Sequence, residues 1–385
     1  MQVVFTKEGD VWRWHKGGEP VRLTWFGDVR KLTISDDGLV IAFVRGLDEF
    51  ALARGLEEYR TPELWAVNSD DSNARQLLSA DDLRAIAGDD PQALRLIFLG
   101  LKWMPGQHIL AFDLFSLYHG QSRDAIWLVN AVTGKWRVLF PPGKAGKFVY
   151  SPDGSQIALI TERAISLVNA DGTNQRADLV TYPAVGLGHY AYRPSVWWAA
   201  DSRSLRTVVP VTRNFEDVMA FAIWDIRADG RPPTQLGYVE ASGFSVSLSP
   251  DLAYIAFWRP DAPRSNRRNL YLAHANGTGE VIYHTAYLLE FLGWAPDSEH
   301  FVFWEFGEWM PQLGQLCGGF VPLTDMFTAS IRWIDASRFL FVSSPRASQL
   351  RPPDKQGPWE LRLVTVGGPG ILIARIEDRL PDYDF

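Results

Sequence analysis

Arginine close to tyrosine, histidine, phenylalanine or tryptophan recurs outside the apolar runs of this chain. The groups are Tyr118, His119 and Arg123; His189, Tyr190, Tyr192 and Arg193; Arg213 and Phe215; Arg259, Arg264, Arg267 and Arg268; Trp309; and Arg346 with Arg351. An aromatic ring offers a broad apolar face, and a guanidinium offers a forked donor that matches a carboxylate. These residue types dominate binding hot spots, so the chemistry they suit is noncovalent recognition. The competing reading is a set of solvated loops whose arginines pair with nearby acids such as Asp217 and Asp261. Surface pairs of that kind contribute little.

Covalent and metal chemistry find less support. The seven histidines are scattered singly, with no HExxH and no short-range pair, so no metal site is expected. Gly143-Lys144-Ala145-Gly146-Lys147 lacks the spacing and the hydroxyl residue of a phosphate-binding loop. Gly243-Phe244-Ser245-Val246-Ser247 fails the nucleophile-elbow pattern at its last glycine and runs into a strand. The acidic pairs Asp36-Asp37, Asp70-Asp71, Asp81-Asp82, Asp89-Asp90 and Asp382/Asp384 match no calcium loop, and no cofactor is expected. The one cysteine, Cys317, excludes an internal disulfide, and its flanks Leu316 and Gly318-Gly319 suggest a buried thiol.

Net charge is −7 without a lysine or arginine run, which argues against a nucleic-acid partner. No apolar stretch is long enough for a transmembrane segment. A protein that starts at Met1 would be cytoplasmic; one whose leader has been removed would be extracytoplasmic or on the cell surface.

The elements that must position the arginines and aromatics come from a repeat. An aromatic or aliphatic residue, a proline- or aspartate-containing turn and a short apolar run recur, with anchors at Asp36, Pro105, Pro152, Ala200, Pro250, Pro296 and Asp335. Most intervals are roughly 40 to 50 residues, the period of a β-propeller blade. The fullest copy is Tyr150-Ser151-Pro152-Asp153-Gly154, where proline and glycine suit a tight turn. The runs that follow it are continuous rather than alternating, as in Ile41-Ala42-Phe43-Val44, Leu110-Ala111-Phe112, Ile157-Ala158-Leu159-Ile160, Ile255-Ala256-Phe257-Trp258, Phe301-Val302-Phe303-Trp304 and Phe339-Leu340-Phe341-Val342. Such strands are covered on both faces. Asp171-Gly172, Asp229-Gly230 and Asn276-Gly277 mark later hairpins. Many of the 16 tryptophans occupy equivalent repeat positions (Trp103, Trp198, Trp294 and Trp333; Trp65, Trp127 and Trp224), which reads as packing between blades.

The first residues supply three strands without a turn anchor, and the tail from Leu380 to Phe385 is expected to complete their sheet. The fold class is therefore all-β: a single closed β-propeller over residues 1–385, with eight four-stranded blades and the N-terminal blade closed by the C-terminal strand. Seven blades with an appended hairpin is the alternative. Leu47 to Tyr59 has helical spacing, and Ser79-Ala80-Asp81-Asp82 reads as a helix start.

The repeats Tyr150 to Ile160 and Ile165 to Gly172 resemble TolB-type propeller repeats, and the opening Val4-Phe5-Thr6 through Val21-Arg22-Leu23-Thr24 is similar to the first blade of tricorn-like and prolyl-oligopeptidase-like protease propellers. The TolB resemblance implies bacterial origin, often an extracytoplasmic location, and protein binding by loops. In the protease propellers a separate domain carries the serine nucleophile; no such domain is legible here, so proteolytic activity is not expected. The expected function is non-enzymatic binding of a protein, peptide or glycan by a monomer. Tyr118, His119, Arg123, Tyr190, Tyr192, Arg193, Arg213, Phe215, Arg259, Arg264, Trp309 and Arg351 would carry the contacts. Two alternatives stay open: a lyase or glycoside hydrolase with a carboxylate pair about 5 to 10 Å apart at the channel mouth, and a docking subunit of a separately encoded hydrolase.

Overall fold

One backbone hydrogen bond, repeated seven times, builds the turn that recurs in the sequence. In the computed structural model the N–H before the turn donates to the carbonyl that restarts the chain: Ser35 to Val40, Met104 to Ile109, Ser151 to Gln156, Ala199 to Ser204, Ser249 to Tyr254, Ala295 to His300 and Ile334 to Arg338, at 2.8–2.9 Å. Where the residues read Ser-x-Asp, the serine hydroxyl accepts the returning N–H of Val40, Gln156 or Tyr254. It also donates at 2.6 Å to Asp37, Asp153 or Asp251. Gly38 and Gly154 supply the left-handed position at φ 71 and 70; Ser202, Leu252 and Ser298 take it at φ 60, 62 and 62. A non-glycine residue there is strained, and it is tolerated because the flanking ladder over-determines the turn.

The structure describes residues 1–46, 61–87, 96–116, 121–187, 190–213, 218–242, 245–305, 311–323, 327–344, 358–368, 370–377 and 379–385. They form eight antiparallel four-stranded blades. Blade 1 pairs Gln2–Lys7, Asp10–His15 and Val21–Arg22 with Tyr383–Asp384. Blade 2 runs Val29–Ile34, Val40–Arg45, Glu63–Asn68 and Arg75–Leu78. Blade 3 runs Leu96–Trp103, Ile109–Ser116, Ile126–Asn130 and Trp136–Phe140, with Gln121–Ser122 added beside its second strand. Blade 4 runs Lys147–Tyr150, Gln156–Ile160, Ala164–Asn169 and Arg176–Thr181; blade 5 runs Val196–Trp198, Ser204–Pro210, Met219–Arg227 and Thr234–Ala241. Blade 6 runs Ser247–Leu248, Tyr254–Pro260, Arg267–His274 and Val281–Tyr287; blade 7 runs Leu289–Trp294, His300–Glu305, Gln312–Gln315 and Phe320–Pro322. Blade 8 runs Phe327–Trp333, Arg338–Ser344, Trp359–Thr365 and Ile371–Ile376. The protein is an eight-bladed β-propeller. The seven-bladed alternative is ruled out, because the N-terminal strands form a full blade with the tail.

By contact density the chain divides into two units: Met1–Lys147 with Leu350–Leu361 and Ile373–Phe385, and Phe148–Gln349 with Arg362–Leu372. Closure occurs within the first. Val4 pairs with Asp384 and Phe5 with Tyr383. Thr6 N donates to Asp382 O at 2.9 Å. The two tail carboxylates reach blade 2: Asp382 accepts Leu32 N at 3.0 Å, and Asp384 accepts Thr33 Oγ1 at 2.8 Å and Ile34 N at 3.1 Å.

The core lies between adjacent blades. One cluster joins Val40, Ala42 and Val44 of blade 2 to Phe98, Phe112 and Trp127 of blade 3; others join blades 4 and 5, 5 and 6, and 6 and 7. All seven of the repeat-position tryptophans sit in or against such clusters. Arginines fasten one blade to the next. Arg13 donates to Ser69 O, Arg75 Nε to Ala131 O at 2.6 Å, and Arg176 Nη1 to Arg227 O at 2.9 Å.

The helix start is found at Ser79: Ala80–Ala87 is helical, Asp82 N donates to Ser79 Oγ at 3.1 Å, and Ser79 N donates back to Asp82 at 2.8 Å. The helix buries Leu83 in the cluster of blades 2 and 3, so it covers apolar surface. The expected helix from Leu47 to Tyr59 lies outside the described residues. The buried thiol is a correction, because Cys317 is exposed. Its neighbouring glycines close the hairpin between the third and fourth strands of blade 7, with Gly318 N on Gln315 O at 3.0 Å, and do not pack around sulfur.

Candidate binding surface on blades four to six

In an antiparallel meander, the first-to-second and third-to-fourth turns leave one end of the strands, and all other connections leave the opposite end. In the second unit the former are tight hairpins; of the described residues singled out by sequence, Tyr192, Arg193, Arg213 and Arg264 lie in the latter, and Arg259, Arg267 and Arg268 on the strand ends that lead into them. Rigid strands presenting longer loops are the usual setting for binding residues.

The connection into blade 5 contains a small hairpin, Gly186–Leu187 with Tyr190–Ala191. Tyr192 follows it, donating its backbone N–H to Val185 O at 2.9 Å and packing on the cluster of blades 5 and 6. Burial pushes its hydroxyl well above the ordinary tyrosine value. Tyr182 behaves alike: burial raises its hydroxyl, which donates to Thr161 O at 2.7 Å. Arg193 Nη2 lies 3.9 Å from Glu162 Oε1. Tyr192 and Arg193 are therefore brought together with Tyr182 and Glu162, two residues that sequence reading missed.

Blade 6 carries two arginine–aromatic stacks. Phe257 and Tyr271 stack at 5.4 Å and 10°, and the Arg259 guanidinium lies 4.0 Å over Tyr271. Arg259 also pairs with Glu280 and, at 3.8 Å, with Glu240. Arg268 lies 3.7 Å over Trp258 and donates to Leu289 O at 2.9 Å and Glu290 at 3.0 Å. Arg267 Nε is 3.4 Å from Asp261, as the local-acid reading expected. Acids hold these guanidiniums in place, so Arg259 and Arg268 act first as braces. Arg213 and Arg264 differ: both are exposed and make no ion pair or side-chain hydrogen bond among the described residues. Arg264 is presented by a turn at φ 62.

Arg123 belongs to blade 3 and lies half-buried, its N–H on Leu114 O at 2.8 Å and its carbonyl accepting Gly143 N at 2.9 Å. Tyr118, His119, Phe215, Trp309 and Arg351 lie outside the described residues, as do His189 and Arg346. Beside Arg123 the structure exposes another omission: Asp113, which is buried. Its carboxylate accepts Leu114 N at 2.7 Å, Ala125 N at 3.2 Å and the Ser122 hydroxyl.

Burial raises the Asp113 carboxyl above its ordinary 3.8, and the three hydrogen bonds only partly counter this. With the folded value raised, the favourable contribution of the protonated form is complete below pH 3.8 and is lost as pH rises through the folded value. Asp113→Asn keeps both backbone bonds and removes the charge. Its melting temperature is expected to equal or exceed that of the parent at pH 7, with the difference narrowing at acid pH. A variant that is clearly less stable at pH 7 would show that the ionised carboxylate is favoured there.

Among the described residues no group of three or more His, Cys, Asp or Glu is arranged to hold a metal, and no helix is long and apolar enough to cross a membrane.

No family model and no curated protein matches the chain. Solved structures do. A eukaryotic initiation factor, 8% identical, is matched over 99% of this chain and 97% of that one at a TM-score of 0.57. Acylaminoacyl peptidase of Pyrococcus horikoshii, 16% identical, is matched over 72% of this chain and 46% of that one at 0.50, so the chain spans less than half of the peptidase. TolB from Acinetobacter baumannii is also among the matches, 13% identical over 72% of this chain and 61% of that one at 0.34. At these identities the likeness concerns the fold alone.

Proposed function

We propose that this propeller is a non-enzymatic binding module that holds a carboxylate-bearing peptide or protein segment at the long-connection end of blades 4 to 6. One observation carries the reading. The braced arginines Arg193, Arg259 and Arg268 spend their charge on protein acids, whereas Arg213 and Arg264 present guanidiniums to solvent at that same end of their blades. A forked donor with no acid partner among the described residues suits an external carboxylate. Tyr192 and the stacked Phe257–Tyr271 pair with Arg259 form the packed ground of the same blades.

The test uses peptides selected from a displayed random library by panning on the wild-type protein. The double variant Arg213→Ala/Arg264→Ala is expected to bind the selected acidic peptides at least about tenfold more weakly, the loss of one charge-assisted contact, with an unchanged melting temperature. Equal binding by the double variant, or a selection without acidic residues, overturns the placement.

A further inference from the structure

The seven equivalent turn bonds put the second strands of seven blades in one register, and this exposes a residue out of pattern. Two positions after the carbonyl that restarts the chain stand Ala42, Ala111, Ala158, Ala256, Val302 and Leu340. In blade 5 the same position is Arg206. A second departure, His274 of blade 6, lines the same space as Arg206. The residue that opens the hairpin between third and fourth strands is Asn68 in blade 2 and Asn169 in blade 4, each donating its side-chain amide to a hydroxyl across the hairpin at 3.0 and 3.1 Å. In blade 6 it is His274, whose ring stacks on Tyr254 at 5.7 Å and makes no hydrogen bond among the described residues.

Both residues line an open surface cleft of about 560 Å³ at the short-turn end of blades 5 and 6, together with the exposed Asp251 and Asn276 and the apolar Leu236 and Leu252. That volume suits a small molecule. The walls are fixed. A Cβ on Gly237 would lie 1.9 Å from Asn276 O, and one on Gly277 2.1 Å from Tyr238 O, so the two blades meet backbone to backbone beside the cleft. Arg206 donates to Leu252 O and sits 3.5 Å from Asp225, which also lies 3.9 Å from Arg227. Two guanidiniums thus share one carboxylate. Asn276 uses its oxygen on Thr278 N and Oγ1, leaving its amide N–H groups for the cleft. Asp251 uses one oxygen on Ser249 and Ala253 N, leaving the other.

We propose that this cleft binds a small zwitterion, a free amino acid or a dipeptide. Its carboxylate lies against Arg206 and Asn276, and its ammonium against the second oxygen of Asp251. A purely anionic ligand would meet the Asp251 carboxylate, and a purely cationic one would meet Arg206; a molecule carrying both charges satisfies both walls. The site lies at the opposite strand end from the surface proposed above and stands or falls independently of it.

The test is titration of the full chain with leucine, alanyl-alanine, N-acetyl-leucine, leucinamide and inorganic phosphate, followed by calorimetry. Saturable binding of leucine or alanyl-alanine at millimolar concentration or below is expected, with the singly charged analogues at least about tenfold weaker. Asp251→Asn retains the turn acceptor and is expected to weaken leucine about tenfold or more without lowering the melting temperature, while Arg206→Gln abolishes binding. Arg213→Ala/Arg264→Ala should leave it unchanged. Absence of saturable binding by any zwitterion, equal affinity for N-acetyl-leucine or phosphate, or an unaltered affinity in Asp251→Asn overturns the proposal.

Discussion

A chain that stops at Leu380 is expected to be unfolded or severely destabilised at room temperature. The five residues removed include Tyr383, which is 2% exposed in blade 1. Loss of a buried aromatic side chain of this kind costs about 3–5 kcal/mol. The same truncation takes away the acceptors of Thr6 N, Leu32 N, Thr33 Oγ1 and Ile34 N. Bonds to charged groups contribute about 1.5–3 kcal/mol each and neutral ones about 1 kcal/mol. The total approaches the whole stability of a typical domain, about 5–15 kcal/mol. Thermal unfolding followed by circular dichroism would show the cooperative transition lost or shifted down by tens of degrees. Asp384→Ala separates the carboxylate from the strand: it keeps the pairing of Val4 and Phe5, and a loss of about 2 kcal/mol is expected. A truncated chain that melts with the parent would mean that the tail merely rests on blade 1.

The second large effect is at Gly237. Alanine there puts a methyl group 1.9 Å from the Asn276 carbonyl oxygen, a backbone atom that cannot swing aside. Blades 5 and 6 must separate locally, and overpacking of this sort costs about 1–3 kcal/mol or more. Gly230 provides the contrast: its φ is 99 and nothing lies within 4 Å of a Cβ, so Gly230→Ala bears only the left-handed penalty, about 1–2 kcal/mol. Gly237→Ala is expected to be the less stable of the two and to lose ligand in the neighbouring cleft. If the two variants melt together, the blade contact yields more readily than its distances imply.

Turn chemistry is local, and so the blade anchors were legible from Ser35, Ser151 and Ser249 with their aspartates. Closure was legible from periodicity, because the first three strands lacked a partner and Tyr383 was available. The binding residues were legible only as types. Arg259 finds Glu240 on the fourth strand of blade 5 and Glu280 just ahead of the fourth strand of blade 6, acids that proximity along the chain does not reveal. The Cys317 reading failed because glycine beside a thiol signals a hairpin as readily as close packing. Arg206 was overlooked for a plainer reason. A search for apolar second strands collects Ala42, Ala158 and Ala256 and passes over the copy that a charge interrupts.

The forward reach of Arg13, Arg75 and Arg176 has an evolutionary consequence. Each guanidinium is encoded in one blade and clasps a carbonyl of the blade that follows. A carbonyl is present whatever side chain stands there, so the recipient requires no matching mutation. Gene duplication of such a unit would deliver the clasp and its target in a single event. New copies could then diverge at their loops while their seams remain intact.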